Sequence, residues 1–294
     1  MKKLFSLILI SGFVMLNAQQ SANRFFYELT FKPKQKQDTK EKVVTILDIT
    51  PEKSIYQDYT IIAQDSILKA EVEAMEKSGV WKDMMKSIKM PKFSHKVEKK
   101  YPEMTVTYSD QISMKRFGYS DDTKLNWKIL SDKEKIGEYN AQKATTEFGG
   151  RKWTAWFTTD LPFPDGPYKF HGLPGLIVKI EDDAKDYSWL LTANKKMDNW
   201  EEQSYAEKIN SKYGMSTAVV MTDRTKFERS FENFKADPLA EVRPYMTPEM
   251  MSRKLPGSDK TFGEMIKDQE KMAKDYFGSN DNPIEKDAAK GKKK

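Results

Sequence analysis

Large apolar residues stand at every second position over residues 25–31: Phe25, Tyr27, Leu29 and Phe31, with Phe26, Glu28 and Thr30 between them. That period belongs to a strand with one buried face. Residues 43–49 are β-branched and strand-like, and residues 54–62 read as their antiparallel continuation, with Pro51 at the turn. Between 64 and 90 the period changes to that of a helix, with Ile67, Val72, Met75, Trp81, Met84, Met85 and Ile88 as the apolar set and Gly79 dividing it. Strand patterns resume at 104–108, 112–119, 125–130, 139–148 and 153–158, and again at 176–180 and 187–192, where Tyr187, Trp189 and Leu191 alternate.

The last third returns to helical spacing. Phe227, Phe231 and Phe234 recur along 222–235, with Thr222 or Asp223 placed to cap its start. Thr247-Pro248 is a second start signal, and residues 261–277 carry Phe262, Met265, Ile266, Met272 and Tyr276 up to Gly278. The predicted fold is mainly β, a β-rich α+β arrangement: one large curved antiparallel sheet or half-barrel, covered by helices. The divisions expected are a β body over 19–220 with a helical insert at about 64–90, a helical part over 221–278, and a disordered basic tail over 279–294.

The stretch 148–183 specifies shape most tightly. Gly149-Gly150 suits a two-residue hairpin turn. Trp153 and Trp156 differ in parity on the strand that follows, so they point to opposite faces of the sheet. Pro162, Pro164, Pro167 and Pro174 cannot donate to a ladder, so residues 161–175 form an ordered, irregular crossing before the next strand.

That crossing contains Gly172-Leu173-Pro174-Gly175-Leu176-Ile177. Together with Gly149-Gly150-Arg151-x-Trp153-x-Ala155-Trp156 and Gly166-Pro167-Tyr168-Lys169-Phe170, it resembles the GLPGLI family, exported proteins of Gram-negative bacteria with no agreed activity. The segment Tyr139-Asn140-Ala141-Gln142-Lys143-Ala144 is similar to one that usually carries a cysteine in that family, where this chain has Ala141. The resemblance spans roughly residues 100–195 and implies export and a fold boundary rather than an activity.

The N-terminus fits export independently. Met1-Lys2-Lys3 precedes an apolar run to Leu16, shorter than the roughly 20 residues a membrane-spanning helix needs. Asn17-Ala18 then supplies a cleavage point after Ala18. The mature chain is expected to be periplasmic, outer-membrane-associated or secreted, and not transmembrane. With no cysteine, disulfides and thiol chemistry are excluded. The formal charge of +6 resides in Lys2, Lys3 and the lysines after 285, which leaves 19–285 formally neutral and argues against nucleic acid as a partner.

Candidate chemistry is sparse. His95 and His171 lack the close spacing of a zinc pair. Glu181, Asp182, Asp183 and Asp186 read as a solvated turn and lack the calcium-loop pattern. No Gly-x-Ser-x-Gly elbow occurs. Met246, Met250 and Met251, and separately Met75, Met84 and Met85, read as packing residues before soft-metal ligands. No cofactor or metal is expected.

Three readings remain open. One is a non-enzymatic envelope protein binding an apolar small molecule or lipid, with Trp153, Trp156, Tyr168 and His171 as binding residues, held by the structural set Gly149, Gly150, Gly172, Pro174 and Gly175. Its architecture is similar to exported lipoprotein-carrier folds. The second is an interaction accessory of an outer-membrane protein assembly. The third is an envelope hydrolase using His171 with Asp160 or Asp165.

Overall fold

The computed structural model describes residues 20–80, 87–212 and 216–286. Twelve strands form a single sheet: β1 Ala22–Phe31, β2 Glu41–Ile49, β3 Lys53–Asp58, β4 Lys96–Lys100, β5 Thr105–Ile112, β6 Lys115–Asp121, β7 Lys128–Ile136, β8 Tyr139–Phe148, β9 Arg151–Thr158, β10 Leu176–Asp182, β11 Tyr187–Met197 and β12 Val219–Met221. Their order is β12-β6-β5-β4-β3-β2-β1-β11-β10-β9-β8-β7. Two meanders, β1 to β6 and β7 to β11, are therefore joined where β11 pairs antiparallel with β1. Among the described strands only the β12–β6 pair is parallel.

The sheet curls strongly. The Lys169 ammonium lies 4.9 Å from the Tyr108 ring on β5 and 5.9 Å from the Phe148 ring on β8. Seven strands separate β5 from β8 in the order above. A flat sheet would hold those two strands roughly 38 Å apart at the usual strand spacing. The main core fills the concavity: Phe25, Tyr27, Leu29 and Phe31 of β1 pack with Trp153, Ala155 and Phe157 of β9, Trp189 of β11, and residues of the crossing between β9 and β10. Trp156 lies instead with Ile136, Ala141 and Val178 in a smaller cluster, as its opposite parity requires.

The helices are α1 Thr60–Ala63, α2 Asp65–Ser78, α3 Tyr205–Lys212, α4 Arg224–Ala236, α5 Pro248–Ser252 and α6 Phe262–Gly278. Asp223 and Thr247 cap α4 and α5, and Thr261 with Glu264 forms a capping box on α6. Phe227 of α4 packs on Ile112 and Tyr119. Because Ile112 shares a face of β5 with Val106 of the main core, α4 covers the far end of the concavity. Among the described residues no helix is long and apolar enough to cross a membrane.

Several boundaries differ from expectation. Residues 60–62 open α1 rather than extend β3, and Ile112 closes β5 rather than opening β6. The helix expected over 64–90 ends at Ser78, where Gly79 takes a left-handed φ of 65°. Trp81, Met84 and Met85 lie outside the described residues, as do the expected signal segment 1–18 and residues 287–294. β4, α3 and β12 have no counterpart among the elements expected from the pattern. The expected disordered tail over 279–294 does not hold for 279–286. Those residues run back against the core, where Ile284 and Glu285 are buried.

Candidate functional site

The crossing between β9 and β10 is held by its own backbone. Gly172 N donates to Pro164 O at 3.0 Å, Leu176 N to Leu161 O at 3.0 Å, and Ile177 N to Asp165 O at 3.0 Å. Gly175 is required by space: a Cβ there would lie 2.0 Å from the Thr158 carbonyl oxygen. Tyr168 takes a φ of 54°, uncommon for an aromatic residue and held here by contacts on all sides of a 4 % exposed ring. The prolines at 162, 164 and 174 face outward, whereas Asp165, Tyr168, Lys169, Phe170 and Leu173 point inward.

Three buried cations organise what surrounds this crossing. Lys99, on the inner face of β4, has no exposed side-chain surface and pairs with Asp165 Oδ1 at 2.5 Å. Its ammonium also donates to the carbonyls of Gly166 at 2.7 Å, Tyr168 at 3.0 Å and Phe170 at 3.4 Å. Tyr101 Oη donates to the other Asp165 oxygen at 2.5 Å. Burial pushes the Lys99 ammonium below its usual range, against the pull of Asp165.

Lys169 lies deeper. It meets Asp121 at 2.5 Å and Glu285 at 2.6 Å, with Tyr119 Oη at 3.0 Å. Glu285 also accepts from Tyr168 Oη at 2.5 Å and from Arg224 Nη2 at 2.8 Å. Burial alone would lower Lys169, but Glu285, Tyr119 and Asp121 outweigh it and hold the ammonium above its ordinary value. For Glu285 burial acts upward, and Lys169 and Arg224 outweigh it to hold the carboxyl low.

Arg151 begins β9 and has no exposed side-chain surface. All five of its N–H donors are used: Asp182 at 2.6 Å, Asp186 at 2.9 Å, Ile284 O at 2.9 Å, Asn282 Oδ1 at 2.8 Å and Pro283 O at 2.9 Å. Asp182, read from sequence as part of a solvated turn, is instead 1 % exposed and locked to this guanidinium.

The residues singled out from sequence do not converge on one cleft. Trp153 is 1 % exposed, its indole N–H donated to Phe148 O and its ring 4.8 Å from that of Phe170. Exposure that low leaves no space for a ligand atom beside it. Trp156 packs on the opposite face. Tyr168 is a core residue. His171 is half-buried, with Nδ1 2.9 Å from Lys169 O and its own carbonyl accepting from Trp127. Asp165 and His171 meet as a backbone bridge, but the Asp165 carboxylate faces Lys99 and Tyr101, and Asp160 is exposed. Gly149 and Gly150 form the β8–β9 turn with φ of 60° and 72°, and Gly172 has φ of 89°. Pro174 is exposed at the surface of the crossing.

Sequence reasoning misses Lys99, Asp121, Lys169, Arg224 and Glu285. Their signal is weak but present: Lys99 shares the buried parity of β4 with Val97, and Lys169 stands between two aromatics. His95 is also in the core, ringed by Tyr56, Phe93, Tyr108 and Tyr168, with no partner for Nε2 among the described residues. Burial, then Lys169 and Arg116, lowers it to about 3. No three histidine or acidic side chains are grouped to hold a metal ion among the described residues. Clefts mark the surface of the described residues. One of about 500 Å³ is bordered by Lys32, Gln35, Asp186, Asn282, Pro283 and Lys286, and one of about 160 Å³ lies under α4 beside Ile112, Phe117 and Phe234. Neither is lined by Trp153, Trp156, Tyr168 or His171.

A family model described as "Protein of unknown function (Porph_ging)" matches residues 149–179, the span from the β8–β9 turn to the middle of β10. No curated protein matches the chain. Among solved structures, it is similar to PNGF-II in a C2 crystal form, with a TM-score of 0.49 and 16 % identity over 73 % of this chain. The P21 form gives a TM-score of 0.46 and 17 % identity over 72 % of this chain. The chain spans about a third of the length of those solved chains, 33 % in each case.

Proposed function

We propose that this chain is an exported GLPGLI-family protein that acts in the cell envelope as a non-catalytic module binding a protein partner. The observation carrying this reading is the unlike character of the two sheet edges. β7 bears exposed Lys128, Asp132, Lys133, Glu134 and Lys135, and its pairing with β8 is irregular between Ile129 and Lys133. Charge and irregularity are how a sheet edge is kept from pairing with another chain. β12 is the opposite: Val219, Val220 and Met221 are 38, 43 and 51 % exposed, and no described strand pairs with its outer side. An apolar edge of this kind accepts an added strand from a partner.

The packing of the concave face supports a partner over an enclosed apolar ligand. The half-barrel is filled by the chain's own Tyr168, Phe170 and Leu173, so the tryptophans have core neighbours where a ligand would lie. Export is supported by the basic and apolar N-terminal pattern.

Photo-crosslinking in the native envelope tests the reading. A crosslinker at Val220 should yield a discrete adduct, and one at Lys133 none. No adduct at 220, or the same adducts from both edges, would overturn it. A stoichiometric lipid carried through purification of the mature protein would return the apolar-ligand reading in its place.

A further inference from the structure

We propose that the segment 149–179 builds a peptide-binding site for an apolar residue followed by a carboxylate, which residues 282–285 of the same chain fill in cis. The inference is independent of the edge-strand reading above.

The strap over residues 281–286 leaves α6 and crosses the concave face without joining the sheet. Its backbone is bound point by point. Asp281 N donates to Pro33 O at 2.9 Å and Lys286 N to Gly149 O at 2.7 Å. The carbonyl of Asn282 accepts from Tyr187 Oη, and those of Pro283 and Ile284 accept from Arg151. Two pockets then read side chains. Ile284 is 6 % exposed within the main core, and Glu285 meets Lys169, Arg224 and Tyr168 Oη. Gly149 fits the strap closely, since a Cβ there would lie 2.9 Å from Glu285 Cγ. Backbone bonding together with side-chain pockets is the anatomy of a peptide site.

The receiving groups hold their positions without the strap. Arg151 is fixed by Asp182 and Asp186 and turns its other donors toward residues 282–284. Lys169 is held by Asp121 and Tyr119, and Arg224 by Glu228. With the strap away, Lys169, Arg224 and Tyr168 Oη present preorganised donors in an aromatic-walled site that suits a single carboxylate. The cleft of about 500 Å³ runs along the strap between Lys32 and Asp186, giving an incoming segment a side to enter from. Gly149, Arg151, Tyr168 and Lys169 all fall within the matched segment 149–179. A tethered strap competes at a local concentration on the order of millimolar, so a free peptide reaches the site only when the strap is out.

Two measurements decide this. In the unaltered protein, hydrogen exchange at the Asp281 and Lys286 amides should proceed through an opening smaller than the one that exposes β9 and β10. Exchange of those amides only with global unfolding would make the strap part of the core and overturn the proposal. In the full chain carrying Ile284→Ser with Glu285→Ser, a labelled peptide of residues 279–286 should bind, at least roughly a hundredfold more tightly than to the unaltered chain. Replacing its glutamate by glutamine should weaken it by roughly tenfold or more. Adding Arg151→Met to the protein should abolish it. A folded double variant that ignores millimolar peptide, or does not distinguish the glutamine peptide, would overturn the proposal. Should that variant not fold, the exchange measurement on the unaltered chain decides alone, since it needs no substitution.

Discussion

Lys99 and Asp165 form an ion pair with side chains 0 and 1 % exposed, joining β4 to the crossing that β9 and β10 enclose. The same ammonium satisfies three carbonyls of the crossing, so one side chain on a strand fixes the path of a loop. Removing one partner of a buried pair leaves the other charged and unmatched, at a cost of about 3–5 kcal/mol. Lys99→Met is expected to lower the urea-unfolding free energy by that order, and Asp165→Asn by somewhat less. The double variant should lose less than the two single losses added. Additive losses would show that the two residues act separately.

Two glycines of the crossing should rank in a definite order. Gly172→Ala puts a Cβ into open space but keeps a φ of 89°, a strain worth about 1 kcal/mol. Gly175→Ala drives its Cβ to 2.0 Å from Thr158 O, where backbone must move on both sides. The second variant should melt well below the first. The reverse order would mean the crossing relaxes more easily than its hydrogen bonds suggest.

His95 should give stability a dependence on acid. Its folded value is lowered to about 3, against 6.5 when unfolded. Between those values the unfolded chain binds a proton that the folded chain refuses, so stability falls as pH drops below about 6.5, by at most about 1.4 kcal/mol per pH unit. Glu285 and Asp121, both held below the ordinary carboxyl range, add their own losses only below about pH 5. Unfolding free energies measured from pH 7 to 5 should therefore slope in the unaltered protein. They should become shallower in His95→Phe, whose ring suits a site already walled by Tyr56, Phe93, Tyr108 and Tyr168, leaving the contribution of His171, which burial also lowers. An unchanged slope in that variant would place the titration elsewhere.

Export predicts a mature N-terminus at Gln19. Intact mass of protein recovered from its host envelope should correspond to loss of residues 1–18. A species retaining Met1 in the envelope would reject cleavage.

What can be read from the sequence follows the strength of the local pattern. β1 and β11 are legible because their buried faces carry apolar residues at period two, Phe25 to Phe31 in one and Tyr187 to Leu191 in the other. β4 is not, because its sequence Lys-Val-Glu-Lys-Lys places a lysine where a core residue is expected. That lysine is buried because distant residues 165–170 supply its partners, information that no local window contains. The strap escapes notice for the same reason. Ser-Asn-Asp-Asn-Pro reads as solvent, and groups far earlier in the chain, Arg151 and Tyr187 among them, make it structure. The shape-bearing residues of the crossing are visible in the sequence, while the charges that hold it are not.

The join between β1 and β11 has a consequence for when this protein can fold. β1 has β2 as one neighbour from the outset, but its other edge stays open until residues 187–197 have arrived. A chain delivered N-terminus first would carry that open edge, with Phe25, Tyr27, Leu29 and Phe31 beside it, through more than half of its delivery. Native closure is thus a late, long-range event, of the kind that makes β proteins fold slowly. Until then the first meander is a half-finished sheet whose free edge must be kept from strangers, and its own eleventh strand is the partner that ends the wait.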